Sequence, residues 1–460
     1  MSNNSVNRIL CFIICFLSQS VSSHAGDSVR EMILSASGVS ENDIISASSK
    51  PALSVYDAFA LSVRCTENLP VKGENVIQAK SQYSQSIGAY LPSVAINAEK
   101  SHYEKSSAGT SSNNTSAYLY GRQPIITGLN EWSEINRSKR AASVSYKVLV
   151  LSAQQQLLTV AQKYYLVCQL QSKYETDLEM IDLYKKIRIE LVRRVSVGKN
   201  RQNDVIRTDG QISRLEAQAA SDLSQLETAK SDLALSIGVS SPVSVSGPVN
   251  LPPPLYRSED ISLIVSRRLE IAIARENIDI ADMNLNTAIG GHLPSIYLDG
   301  NYRLYTEGDD PGDKYNVAIV ASLPIFQGGI TSEKVSLAKS AKRQADLTLA
   351  ETTRAVKEDI ISSYNIWGGF VKQYDAYKKA LGSAERNYNI TMNDYRLSLV
   401  TILDVISVLA ELRQARNDFN TAMFALELSR IKLGVAISEF PGSGNSILKN
   451  SYVLKTENPQ

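Results

Sequence analysis

Side chains able to do covalent or redox chemistry are few in this 460-residue chain. His102 and His292 stand 190 residues apart, and the third histidine, His24, falls in the leader described below. No His-Glu-x-x-His pair is present to hold zinc, no Cys-x-x-Cys pair, and no Gly-x-Ser-x-Gly elbow to expose a nucleophile. Val197-Gly198-Lys199-Asn200 has the Gly-Lys of a phosphate loop but neither its upstream glycine nor the Ser or Thr after the lysine. These residues predict no enzyme, no cofactor and no metal centre. Charge gathers instead at two turns, Gly198-x5-Asp204-Val205 and Tyr395-x8-Asp404-Val405. Around the first lie Arg193, Arg194, Lys199, Arg201 and Arg207. Such a run reads either as a solvated helix end or as a docking or substrate-steering surface.

The elements that position these turns must be exported. Arg8, the apolar run at 9–17 and the small-x-small site Ser23-His24-Ala25 form a secretory signal peptide over 1–25, too short to span a membrane. A buried N-terminal helix is the other reading. The signal lacks the Leu-small-small pattern that precedes a lipidated cysteine. Cys65 and Cys168 remain after cleavage; helix geometry places them about 25 Å apart along the axis, too far for a disulfide. Apolar residues are 43% of the chain, charged residues 21%, and the net charge is +1. That balance excludes a disordered chain and a polybasic nucleic-acid binder. The mature sequence holds no stretch near the roughly 20 apolar residues of a spanning helix.

Proline distribution shows the architecture. None of the 14 prolines falls within 125–241 or 325–440, windows of 117 and 116 residues. An interior proline costs a helix about 3 kcal/mol, so each window reads as long helix. The chain is also an internal duplication. Ile87-Gly88-Ala89-Tyr90-Leu91-Pro92-Ser93 recurs as Ile289-Gly290-Gly291-His292-Leu293-Pro294-Ser295, an offset of 202. Pro124-Ile125 with Gly128 recurs as Pro324-Ile325 with Gly328, and Asp204-Val205-Ile206 as Asp404-Val405-Ile406, both offset by 200. Gly238-Val239 recurs as Gly434-Val435 at 196.

After an N-terminal segment at 26–52, the first repeat covers 53–239: a helix broken near Leu69-Pro70, strands 93–103 and 116–123, and a helical hairpin 127–238. A Pro-rich linker occupies 240–257. The second repeat, 258–435, has a helix at 261–289, strands 295–305 and 315–323, and a hairpin 327–434; a tail follows at 436–460. Leu91, Pro92 and Pro124, with Leu293, Pro294 and Pro324, mark the helix–strand junctions. Leu170, Tyr174, Leu178, Ile181 and Tyr184 form one helical stripe, and Ile212, Leu215, Ala219, Leu223, Leu226 and Leu233 another. Gly368-Gly369 inside the second window marks close packing, a bend or a tolerated weak spot.

Ten-residue strands suit a tilted crossing of a bilayer, although a four-stranded soluble sheet has the same pattern. Strands in hydrocarbon must close into a barrel of about eight or more, so four per chain require assembly. A helix of roughly 100 Å is about three times the apolar thickness of a bilayer and must project to one side of it.

The duplicated order of helix, Leu-Pro, two strands, Pro-Ile, long helix, turn with Asp-Val and return helix resembles the TolC family of outer-membrane efflux and secretion ducts. The resemblance implies a homotrimer in outer-membrane lipid of a Gram-negative bacterium. A twelve-stranded β-barrel would continue as a periplasmic α-barrel, an α+β membrane fold. It also implies a periplasmic adaptor (membrane fusion protein) and an inner-membrane ABC or RND transporter as partners, with no nucleic acid. Gly198, Lys199, Arg201 and Ser398 become the tip turns where an adaptor docks. In the family the tips close through tyrosine, arginine and aspartate contacts. Tyr395 matches the tyrosine, Asp204 the aspartate of the neighbouring tip, and Asp404 an aspartate ringing the lumen, where clustered carboxylates favour cations. Ser398 replaces the tip glycine, Val400 the gate arginine and Ser407 a second acidic ring, so the charged latch is partly absent. The missing lipidated cysteine inclines the resemblance towards type I protein secretion over multidrug efflux. A periplasmic coiled-coil adaptor whose strands form a soluble domain is the alternative.

Overall fold

The computed structural model describes residues 25–104, 111–128, 130–240, 243–248, 253, 261–307 and 313–439. The signal peptide read at 1–25 (all but Ala25), much of the linker read at 240–257 and most of the tail read at 436–460 lie outside the described residues. The chain divides into two compact units. One comprises Glu74–Val148 and Leu269–Ala355, the other Met1–Gly73, Leu149–Arg268 and Val356–Gln460.

The first of these units holds a sheet of four antiparallel strands, β1 (Ser93–Glu104), β2 (Ser111–Thr127), β3 (Ser295–Glu307) and β4 (Tyr315–Ser322). Their order β1-β2-β3-β4 leaves β1 and β4 as open edges. Register sorts the side chains by the period of two. Ile96 pairs with Leu119, Leu119 with Tyr302 and Tyr302 with Tyr315, while Leu298 pairs with Ile319, so one face is apolar. Asn97 pairs with Tyr118, Tyr118 with Arg303, Tyr120 with Asn301 and Arg122 with Asp299, so the other face is polar and aromatic. Arg122 holds Asp299 with two hydrogen bonds of 2.8 and 2.9 Å and stacks 4.8 Å from the Tyr297 ring centroid.

β2 is longer than the 116–123 read from sequence, because Ser111–Asn114 look like turn residues yet pair with 101–104 of β1. Its register shifts between Pro124 and Ile126. Pro124 therefore sits inside β2, where a bulge spares the ladder the missing N–H, whereas Pro324 lies beyond the end of β4. Leu91-Pro92 and Leu293-Pro294 occupy equivalent positions, each just before a strand. The Gly128 N–H donates to the Pro294 carbonyl, 3.2 Å away. At φ 69°, a Cβ on Gly128 would come within 2.3 Å of the Gly290 oxygen, which only glycine avoids.

Ten helices complete the described fold. They are α1 (Ala25–Ser37), α2 (Glu41–Ser48), α3 (Val55–Cys65), α4 (Asn68–Gly88), α5 (Glu131–Ser196) and α6 (Gln202–Ile237). The second repeat adds α7 (Ile261–Arg267), α8 (Leu269–Gly290), α9 (Ile330–Arg396) and α10 (Ile402–Ala436). None is long and apolar enough to cross a membrane. The break between α3 and α4 falls at Thr66-Glu67, and Pro70 stands in the first turn of α4, where no helical N–H is lost. The helix read at 261–289 is interrupted at Arg268. Its guanidinium bonds the Ala436 carbonyl at 2.7 Å and Asp359 at 3.2 Å instead. Acidic residues on α8 face cations on both long helices: Arg140 with Asp279 at 2.9 Å, Lys147 with Glu276 at 2.6 Å, and Lys342 with Asp282. Gly368 and Gly369 continue α9 with open space where a Cβ would stand, so neither serves a close contact within this chain. Cys65 and Cys168 are free thiols, and burial pushes Cys168 up to about 12.

Candidate functional site

The two hairpin turns meet around one apolar cluster. Met180, Ile181, Tyr184, Ile187 and Leu191 of α5 pack with Val205, Ile212, Leu215 and Ala219 of α6. Ile402, Val405, Ile406, Leu409 and Leu412 of α10 join them, together with Tyr395 of α9. Apolar side chains recur every three or four residues on α5 and α10, and on α6 the buried Thr208 fills the step between Val205 and Ile212; burying each large apolar side chain is worth about 1.5–3 kcal/mol.

Each turn is closed the same way. Gly198, at φ 73°, donates its N–H to the Val195 carbonyl at 2.9 Å, and Lys199 donates to Arg194 at 2.8 Å. Ser398, at φ 64°, donates to Tyr395 at 3.0 Å, and Leu399 to Asp394 at 2.9 Å. Both are left-handed helix ends, natural for glycine and strained by about 1–2 kcal/mol for serine. The return helices start alike as well. Asp204 and Asp404 stand third in α6 and α10 and accept the N–H of Arg201 (3.3 Å) and Thr401 (2.8 Å). Thr401 adds its hydroxyl at 2.7 Å, and that bond holds the Asp404 carboxyl below the usual carboxylate range.

Asp204 is half-buried, while Asp404 and Ser407 are exposed. Gly198, Lys199, Arg201 and Ser398 are exposed around the two turns. Val400 turns inward and packs against the tip core. Tyr395 is only 2% exposed; burial pushes its phenol up, against the opposing pull of Arg194. Its hydroxyl has no hydrogen-bond partner among the described residues, so Tyr395 and Asp204 are neighbours without a bond.

Three features escaped the sequence reading. Arg194 stacks 4.5 Å from the Tyr395 ring centroid and donates to the Arg396 carbonyl at 3.1 Å. Asp177 and Asp222 are wholly buried where the apolar stripes pointed to Leu178 and Leu223, both partly exposed. Arg413 of α10 grips Asp177 at 2.7 and 2.9 Å, and Lys173 pairs with Asp222 at 2.8 Å. An arginine one turn from a tyrosine's partner, or an acid inside a leucine stripe, was the only available signal.

Among the described residues no cluster of His, Cys, Asp and Glu could hold a metal ion. The two turns set exposed charge around a shared apolar cluster.

The outer membrane efflux protein family model matches residues 261–437, the second repeat. Outer membrane protein TolC of Vibrio cholerae is 28% identical over 37% of this chain and 41% of its own length. The proteases secretion protein PrtF of Dickeya chrysanthemi is 21% identical over 83% of this chain and 87% of its own. In fold, the chain is similar to the Campylobacter jejuni CmeC outer membrane channel, with a TM-score of 0.72 and 18% identity. That likeness covers 88% of this chain and 89% of CmeC. The proteins matched are outer-membrane channels and secretion proteins. Over its second repeat the chain is similar to the outer membrane efflux protein family, and its fold is that of the outer-membrane channels.

Proposed function

We propose that three copies of this chain close their sheets into a twelve-stranded barrel in the outer membrane of a Gram-negative bacterium and form a passive export channel-tunnel. The observation that carries this reading is the open sheet, apolar on one face and polar on the other, with unpaired edges at β1 and β4. An open edge in hydrocarbon leaves backbone groups without partners, so the sheet is complete only when copies pair β4 to β1 around a ring. Val94, Ile96, Val317 and Ile319, each well exposed in the single chain, then face lipid. Tyr118, Tyr120, Arg122, Asp299 and Asn301 line water. The helical hairpins extend into the periplasm. Twelve long helices from three chains enclose the conduit there, with Asp404 contributing three carboxylates to a cation-favouring ring.

The channel does no chemistry, so the energy for transport comes from an inner-membrane transporter. A periplasmic adaptor links the two by docking on the turns at Gly198, Lys199, Arg201 and Ser398. Likeness to PrtF along most of the chain supports a secreted polypeptide as cargo. Crosslinking of protein extracted from outer membranes tests the assembly: a ladder ending at three chains is expected. A monomer in the soluble periplasmic fraction would rule it out.

A further inference from the structure

Alternation along the four strands sorts the tyrosines of the sheet into two sets. Tyr302 and Tyr315 stand with the apolar side chains, whereas Tyr118, Tyr120, Tyr297 and Tyr305 stand on the opposite face. Amides share that second face: Asn97 pairs with Tyr118, and Asn301 with both Tyr120 and Asn316. Its charges balance, with Glu99 and Asp299 against Arg122 and Arg303, and Asp299 holds Arg122 through Nε and one terminal nitrogen. Lys314, just before β4, turns its ammonium to the apolar face, 5.8 Å from the Tyr302 ring centroid. The Arg122 guanidinium lies 5.9 Å from the Tyr120 ring centroid and 4.8 Å from that of Tyr297, which fixes both rings in place. Tyr118, Tyr120 and Tyr297 remain half-exposed.

We propose that this face is a low-affinity contact surface for an extended polypeptide in transit through the barrel, with Tyr118, Tyr120 and Tyr297 meeting its side chains and Asn97 and Asn301 its backbone. The proposal rests on the channel reading above, in which this face lines water. Tyrosine offers a broad ring on few rotatable bonds, and asparagine both donates and accepts; antibody loops grip polypeptide of varied sequence with the same combination. Because the charges cancel, the wall neither draws in nor repels a chain by its sign. Passage needs contacts good enough to admit the cargo and weak enough to release it, and rings spread over two strands and repeated in each copy give many weak contacts. A small apolar compound binds best in a concave apolar recess, whereas here rings and amides alternate along an open strand face.

The test uses the full-length protein in planar bilayers. A disordered, uncharged peptide of glycine, serine, glutamine and tyrosine is added to one side, and the residence time of its current blocks is read. Tyr118→Ser and Tyr297→Ser, on different strands so that one can stand in if the other fails to insert, should each shorten the blocks about two- to tenfold, the factor for losing an aromatic contact. Tyr118→Phe and Tyr297→Phe keep the ring and should keep most of the residence time, while Tyr302→Ser, on the opposite face, should match the unaltered chain. Blocks of unaltered length in conducting serine variants would overturn the contact surface, as would equal shortening by Tyr302→Ser. If tetraphenylphosphonium blocks for longer than the peptide and loses that block to the same serine substitutions, the wall serves small aromatic compounds and the polypeptide assignment falls. A silent bilayer from the unaltered chain would instead remove the channel reading itself.

Discussion

The two long helices hold matching places in the two repeats and are nearly equal in length, 66 residues in α5 and 67 in α9. Their surroundings differ. α5 is threaded with fully buried side chains, among them Leu149, Leu157, Val160, Tyr164, Met180, Ile187 and Leu191. α9 buries only Thr331, Val356, Ile360 and Tyr395, and Leu337 and Leu347 are each 72% exposed. Duplication gave both repeats the same backbone plan and left them unequal shares of the core. The first hairpin carries this chain's own packing. α9 keeps apolar residues on a face that the single chain leaves bare, which the assembly proposed above would cover.

The largest effect should come from the core of α5. Leu157→Ala removes a fully buried side chain and is expected to cost about 2–5 kcal/mol, read as a lowered thermal midpoint of the helical signal. Leu347→Ala should change that midpoint by less than about 0.5 kcal/mol in dissociated chains. It should instead weaken recovery of crosslinked trimers. Equal losses from both substitutions would mean that the two helices share one core.

The tips supply a smaller contrast. Gly198→Ala forces a side chain into the left-handed region and should destabilise by about 1–2 kcal/mol. Ser398→Gly relieves the same strain and should stabilise by about 1 kcal/mol. Opposite shifts in thermal midpoint are the expected pattern, and a loss from Ser398→Gly would show that the serine hydroxyl outweighs its backbone.

Smallest is the effect of pH at the second tip. Thr401 holds the Asp404 carboxyl below its ordinary range, so its charge is present above the unfolded pKa and lost only as pH falls through the lower, folded value. Cation preference from reversal potentials should therefore persist into the ordinary carboxylate range. Thr401→Val removes the main cause and should move the loss to higher pH, while Asp404→Ala should remove this contribution to the preference at every pH. Identical profiles for all three proteins would take Asp404 out of the ion path.

Long-range regularities were legible in the sequence, and single buried charges were not. Alternation in Ile296, Leu298, Tyr302 and Leu304 of the second copy is a period-two signal, so the sheet could be read. Proline exclusion likewise revealed helices of more than sixty residues. Asp177 and Asp222 were missed because an apolar stripe locates a face only to within a residue, and their burial depends on Arg413 and Lys173 from other parts of the chain. Arg194 was legible as part of the basic first tip, but its contact with Ser398 was not, since it joins residues 204 apart. The polar start of β2 read as turn because serine and asparagine favour turns, and only pairing with β1 overrides that preference.

A water-filled conduit through the outer membrane would carry current, and that current can be measured. Protein purified from outer membranes and added to a planar bilayer should give discrete, long-lived conductance steps with a cation-selective reversal potential. A bilayer that stays silent with correctly folded trimers would contradict the account.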